Sequence, residues 1–313
     1  MLTLPLPMRP SHVHVTVVRA GDGWLQFDTG MFTAETLEAL HRSWKQLGVE
    51  ARSIRALFVT HHHPDHFGAS ATLQEETGAP VFLHPAEAVA ATHYTRRQHS
   101  ELALAFFRRN GIPLDRLGYV PAVGEFWSAV YRPAARTEAL ADGQRFAFDG
   151  VTVEVIGTPG HTAGHCVFYL REHRVLVSGD HVLPKITPHI GLFPGGPENP
   201  LADYLASLRK LEPLEAEVVI PAHGPAFSHL QQRIQQMIQH HEYRLREMLA
   251  AVHGQARTAY EVAALAWGFD ERSPLQIQFP ATFEALAHLE YLRAQGKVER
   301  IETNEQTRYR ALD

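Results

Sequence analysis

The feature that most constrains this chain is the segment Thr60-His61-His62-His63-Pro64-Asp65-His66, placed directly after the apolar run Ala56-Leu57-Phe58-Val59. A short apolar run of this kind reads as a buried strand. The loop after a strand is where a rigid scaffold can aim several side chains at one point. His61 and His63, two positions apart, can chelate one ion from an extended loop. Asp65 and His66 open the next helix and can reach a second ion about 3.5–4 Å away. The plainer reading is a polar helix start that Asp65 merely caps, but four donor side chains in six positions fit metal coordination better.

Three later segments repeat the placement. His161 lies in Thr158-Pro159-Gly160-His161-Thr162-Ala163-Gly164-His165, after a strand predicted over 151–156. Asp180 lies in Ser178-Gly179-Asp180-His181, after Val175-Leu176-Val177, and His223 in Pro221-Ala222-His223-Gly224, after Val218-Val219-Ile220. Four separate strands thus end in imidazole or carboxylate, as a metal site at one edge of a β-sandwich requires. Each later residue taken alone is a weak signal, with a buried turn residue as its alternative. The chain holds 21 histidines, so most serve elsewhere. His62, His165 and His181 are expected as neighbours or hydrogen-bonding partners of ligands, His84 as structural, and His240-His241 as a solvated or interface pair. Cys166, the one cysteine, reads as a small buried hydrophobe. It rules out an internal disulfide framework and suits a reducing compartment.

Through His-x-His-x-Asp-His, Gly-His-Thr-x-Gly-His, Gly-Asp-His and Ala-His-Gly, taken in order across 15–225, the chain resembles the metallo-β-lactamase superfamily. The resemblance implies an α/β (α+β) fold, a four-layer αββα sandwich with a dinuclear site between its sheets. Carried over by position, metal one takes His61, His63 and His161. Metal two takes Asp65, His66 and His223, and Asp180 bridges both. Aspartate at the bridging position looks unlike the cysteine-containing lactamases. His63 stands where flavodiiron proteins carry glutamate, and no flavodoxin-like half is present. Thr187-Pro188-His189, with the character of the tail, is similar to lactamase-like hydrolases bearing C-terminal winged helices, a group with thioesterase-like and endoribonuclease members.

The chain is 313 residues long, enough for one large domain and a smaller one. A catalytic domain is expected over 1–228, a linking helix over 229–252 and a small winged-helix-like domain over 253–313. A hairpin turns at Asp22-Gly23, a helix spans 33–47, strands recur at 151–156, 167–170, 175–178 and 217–220, and a further helix covers 201–211. Residues 84–148 look different: helix-rich, with eight arginines, no lysine and six acids, they read as an inserted cap. Thr258-Ala259-Tyr260-Glu261 fits a capping box. Strand-like 298–302 and 308–311 flank a polar turn and give the expected wing.

Hydrophobic residues make up 45% and charged residues 20%, which excludes disorder as the main class. The net charge of −5 argues against a dedicated nucleic-acid binder. The tail carries seven Arg/Lys against nine Asp/Glu over 253–313, so packing or dimerisation is its better reading. No run approaches the roughly 18 apolar residues of a membrane span. The start lacks a basic, apolar leader, so a cytoplasmic location is expected.

All seven candidate ligands are nitrogen or oxygen donors, suiting two Zn²⁺ and also allowing iron or manganese. The expected function is zinc-dependent hydrolysis of a small acyl substrate (thioester, ester or lactone) through a metal-bridging hydroxide oriented by Asp65, with His189 helping to bind the developing oxyanion. A phosphodiesterase or endoribonuclease on the same two metals is the alternative, so nucleic acid stays a partner the fold allows and the charge disfavours. A non-catalytic metal-binding or interaction protein is the alternative of another class. Arg96, Arg97, Arg108 and Arg109 offer cations to an anionic substrate, though such pairs are more often solvated helix faces.

Overall fold

A computed structural model describes residues 1–94, 100–117, 120–270 and 272–312. Six strands form the first sheet in chain order: β1 (Leu2–Pro5), β2 (His12–Ala20), β3 (Gly23–Phe27), β4 (Ile54–Phe58), β5 (Val81–Leu83) and β6 (Glu138–Ala139). The second sheet contains β7 (Arg145–Phe148), β8 (Val151–Gly157), β9 (Cys166–Leu170), β10 (Val175–Gly179) and β11 (Val218–Pro221), in the reverse of chain order across the sheet.

Side-chain alternation decides how the sheets stack. On β9, Phe168 and Leu170 enter a core shared with Phe27, Phe58 and Val155 from both sheets, while Val167 and Tyr169 face away from it. The outer face of the first sheet is covered by α1 (Ala34–Leu47), α2 (Pro64–Phe67) and α3 (Ser70–Thr77), through Leu40, Trp44, Phe67 and Leu73. The helix expected from residue 33 begins one residue later because Thr33 is its cap, accepting a hydrogen bond from the Thr36 N–H.

Between β5 and β6 the described residues form four helices, α4 (Pro85–Tyr94), α5 (Ser100–Arg109), α6 (Leu114–Leu117) and α7 (Val120–Ala129). The helical part of the expected cap therefore ends well before residue 148, and β6 and β7 complete the two sheets. The cue for β7 is short: only Phe146 and Phe148 alternate ahead of the Asp149-Gly150 turn. The outer face of the second sheet is covered by α8 (Pro200–Leu211) and the first half of α9 (Leu230–Ala251), through Tyr204, Leu208, Ile234 and Met237. The layers are αββα.

The last half of α9 enters a different core. Met248 and Val252 pack with α10 (Ala259–Trp267) and α11 (Leu275–Ala294), and with Val298 and Tyr309 of the antiparallel pair β12 (Val298–Glu302) and β13 (Thr307–Ala311). The capping box at Thr258 forms, with Glu261 returning a bond to the Thr258 N–H. No helix among the described residues is long and apolar enough to cross a membrane.

Candidate metal centre

Strand direction gathers the loops. β3 and β4 are parallel, so Asp28 and the 60–66 segment leave the first sheet at one edge. β8 and β10 each run antiparallel to β9, and β11 runs parallel to β10. Their carboxyl ends therefore share an edge too, and that edge carries His161, Asp180 and His223. Backbone bonds seam the sheets there: Cys166 N–H donates to the Thr60 carbonyl at 2.9 Å, and His14 N–H to the Ala222 carbonyl at 2.7 Å. Gly179 turns the chain into Asp180 at φ 51°, where a Cβ would lie 2.8 Å from Thr60 Cγ2 and 2.9 Å from His165 Nε2. Only glycine fits that close approach.

All seven expected ligand residues converge. His63 Nδ1 lies 2.9 Å from His61 Nε2 and 3.0 Å from His161 Nε2. On the other side, His223 Nε2 lies 3.4 Å from Asp65 Oδ2, and His66 Nε2 lies 3.6 Å from it. Asp180 stands between the groups: Oδ1 is 3.4 Å from His223 Nε2 and 3.5 Å from His66 Nε2, and Oδ2 is 3.6 Å from His161 Nε2. Each of the triads His61–His63–His161, His61–His66–Asp180 and Asp65–His66–His223 has donor atoms close enough to hold a metal ion.

The outward ring nitrogens fix which nitrogen faces the site. His223 Nδ1 donates to the His12 carbonyl and His161 Nδ1 to the His189 carbonyl, both at 2.8 Å. His66 Nδ1 donates to Asp28 Oδ2 at 2.9 Å. The Thr60 hydroxyl donates to Asp28, so its oxygen accepts from His61 Nδ1 at 3.0 Å. Four rings are thus oriented with Nε2 inward, the arrangement that orders imidazole for metal ligation. His66 Nε2 and Asp180 Oδ1 are buried and lack a hydrogen-bond partner among the described residues. Buried polar atoms left bare are costly, and a divalent cation satisfies both. The residues fit such an ion.

Charge is arranged to match. Burial first, then neighbouring imidazoles, holds His61 and His63 well below the usual imidazole value, leaving lone pairs for a cation. Burial pushes in the opposite sense at Asp180, yet His223 and His66 prevail and hold its carboxyl well below the usual range. Against burial, Asp65, Asp180 and Asp28 raise His66 well above its ordinary value, and Asp180 and Asp65 raise His223 to about 10. Metal ligation requires those protons to leave. Loading a divalent metal at pH 7 should therefore release a proton from each of His66 and His223, measurable by titration calorimetry in buffers of different ionisation enthalpy. An uptake heat independent of the buffer would contradict this protonation pattern.

Three supporting residues escaped the sequence reading. Asp28, at φ 62° and buried, accepts from Thr60 N–H at 2.8 Å, from the Thr60 hydroxyl and from His66. Thr60 relays that carboxylate to His61. Glu87, buried on α4, accepts from His62 Nδ1 and the His62 N–H with one oxygen, and from Gly164 N–H at 2.6 Å with the other, tying two loops of the site together. Asp28 follows a strand, as the ligands do, and that was its available cue. Glu87 sits in a helix with no companion donor and gave none.

The remaining candidates fall into place individually. His189 reaches the site through its backbone carbonyl; its ring Nε2 donates to the Pro280 carbonyl of α11 at 2.8 Å, so the donor expected for an oxyanion is engaged there. His165 bonds Thr158, and His84 accepts from Ala86 N–H at the start of α4. Burial pushes the Cys166 thiol up to about 12, as befits an inert core residue. His241 is buried and pairs with His288 across α9 and α11 at 3.1 Å. Arg109 pairs with Glu302 of β12, while Arg108 is exposed and Arg96 and Arg97 lie outside the described residues.

Residues 8–223 match the sequence pattern described as the metallo-beta-lactamase superfamily. The chain belongs to that superfamily. Residues 245–312 match the metallo-beta-lactamase-like C-terminal domain. Among metallo-β-lactamase relatives of known structure, a family protein of Thermus thermophilus is 31% identical, with a TM-score of 0.87 over 99% of this chain and 97% of its own. A beta-lactamase domain protein of Burkholderia ambifaria is 26% identical, with a TM-score of 0.88 over 99% and 91%. Among curated relatives, an atrochrysone carboxyl ACP thioesterase of Aspergillus fumigatus is 33% identical over 44% of each chain. A lactamase-like protein, adaB, of Aspergillus niger is 28% identical over 79% of this chain and 61% of its own. The match thus spans about half the length of these curated superfamily members.

Proposed function

We propose that the protein is a metal-dependent hydrolase that holds two zinc ions and cleaves small acyl substrates, thioesters foremost. One observation carries this reading: the Asp180 carboxylate has one oxygen toward His66 and His223 and the other toward His161, so a single side chain joins two donor groups. His61, His63 and His161 would hold one ion, Asp65, His66 and His223 the other, with Asp180 shared. Bound there, zinc supplies a nucleophile at neutral pH and Lewis acidity toward the acyl oxygen without redox chemistry. Asp65 is the more exposed of the two carboxylates, at 19% against 12% for Asp180. In this reading it would also accept the hydrogen bond that orients the attacking water. His189 positions His161 through its carbonyl, Asp28 braces the first loop from the end of β3, and Glu87 ties that loop to Gly164 at the edge of the second sheet. The thioesterase among the curated relatives supports the acyl class.

Mass spectrometry of native protein, with thioester, lactone and bis-p-nitrophenyl phosphate hydrolysis assayed on the same sample, tests the reading. Two zinc ions per chain and acyl hydrolysis are expected. Preference for the phosphodiester would replace the substrate class, and one iron per chain would replace the chemistry.

A further inference from the structure

We infer that the seam between the sandwich and the C-terminal domain holds a second ligand site, built for a straight aliphatic chain that ends in a carboxylate. A cavity of about 290 Å³ opens there, walled by α8, α9 and α11 and by the turn ahead of β12. None of the seven converging metal-site residues lines it. Its floor is apolar and joins two cores. Leu205 and Ile238 belong to the core outside the second sheet, Leu292 belongs to the C-terminal core, and Leu245 packs against both. Leu205, Ile238 and Leu292 are buried, whereas Leu245, Leu249 and Tyr291 are half-buried and leave apolar surface to the hollow.

The rim is charged, and unevenly. Arg209, Arg246 and Lys297 line the cavity against a single carboxylate, Glu242, and all four are exposed. Cations of the same helices that lie elsewhere have carboxylate partners: Lys210 pairs with Asp142, Arg244 with Glu247 and Arg293 with Glu290. The three at the cavity have no carboxylate within ion-pair distance among the described residues. Arg209 and Lys297 stand at or just past helix ends, where backbone carbonyls attract them. Arg246, more than a turn inside α9, has no such company. In a chain of net charge −5 this is a local excess of positive charge over an apolar floor. A ligand that answers both features carries an anion at one end of a hydrocarbon body. Guanidinium groups match the carboxylate fork, while Glu242 in the same rim penalises a second negative charge. A carboxylate therefore fits better than a phosphate. At roughly 30 Å³ for each small group, the share of one water, the cavity takes about ten non-hydrogen atoms. Octanoate has that size.

Octanoate is to be titrated into the native protein by calorimetry, with acetate and octan-1-ol as probes of head and chain alone. Octanoate should bind saturably and about tenfold more tightly than either. Arg246→Glu should weaken octanoate about tenfold and remove the rise in melting temperature that the ligand gives wild type. Lys297→Ser, outside the helices, should weaken it in the same sense. Asp180→Ala separates this site from the metal centre, where a carboxylate can also bind: octanoate binding at the seam should survive that substitution. Octanoate binding that disappears in Asp180→Ala, or that stays at wild-type strength in Arg246→Glu and Lys297→Ser, overturns the inference. Equal binding of octan-1-ol, or no saturable heat at millimolar octanoate, overturns it too.

Discussion

Replacing Asp180 with alanine is expected to strip metal from both donor groups and to abolish hydrolysis while far-ultraviolet circular dichroism stays that of the wild type. Among the described residues, the carboxylate is the only side chain whose oxygens face both histidine groups, at 3.4–3.6 Å. Removing it takes one donor from each proposed ion and leaves Asp65 as the sole carboxylate between His66 and His223. Loss of an outer hydrogen-bonding partner typically costs about 10–100-fold in metal affinity, and loss of a shared ligand should exceed that. The chain should still fold, because Asp180 sits outside the three apolar cores of the sandwich. Metal content and turnover are to be measured on the same preparation. Two bound metals with full activity would refute the bridging assignment.

Asp28→Ala should weaken both stability and metal binding, in a way a mere surface change could not. Its carboxylate accepts from the Thr60 N–H, the Thr60 hydroxyl and His66 Nδ1, all at 2.8–3.1 Å and all buried. Alanine leaves those donors without an acceptor, and each buried unsatisfied group costs about 1–3 kcal/mol. Allowing for partial relaxation, roughly 3 kcal/mol of folding stability should be lost, with metal affinity down about 10–100-fold. Denaturant unfolding and competitive metal titration read the two effects separately. Metal affinity within twofold of wild type would show that His66 does not depend on Asp28 for its orientation.

Why His61, His161 and His223 were legible in the sequence while Glu87 was not is a matter of local against distant cause; Asp28 carried the same local cue, a strand end, without a histidine beside it. A β-sheet presents its strand ends at an edge, so an apolar run followed by histidine or aspartate beside glycine or proline carries the site in local sequence. Four such runs could be read together, and the structure gathers all seven residues they nominated. Glu87 acts on His62 and Gly164 from a helix that is adjacent only after folding. The contact between His189 and Pro280 spans 91 positions and depends on domain packing that no local pattern encodes. Short elements were lost for a related reason. β1 and β6 hold four and two residues, too few for alternation to be counted, and they exist because a neighbouring strand offers them a ladder.

The 22 residues of α9 also set what this molecule can do in motion. At a rise of 1.5 Å per residue the helix is about 33 Å long. Leu230, Ile234 and Met237 near its start are packed in the sandwich, and Met248 near its end in the C-terminal core. A hinge requires a few residues free to change their backbone angles, and a helix clamped at both ends provides none. The two parts should therefore move as one body, with no swinging domain to admit or discharge a substrate. Substrate entry and product escape must then rely on local side-chain and loop motion and not on a domain rotation.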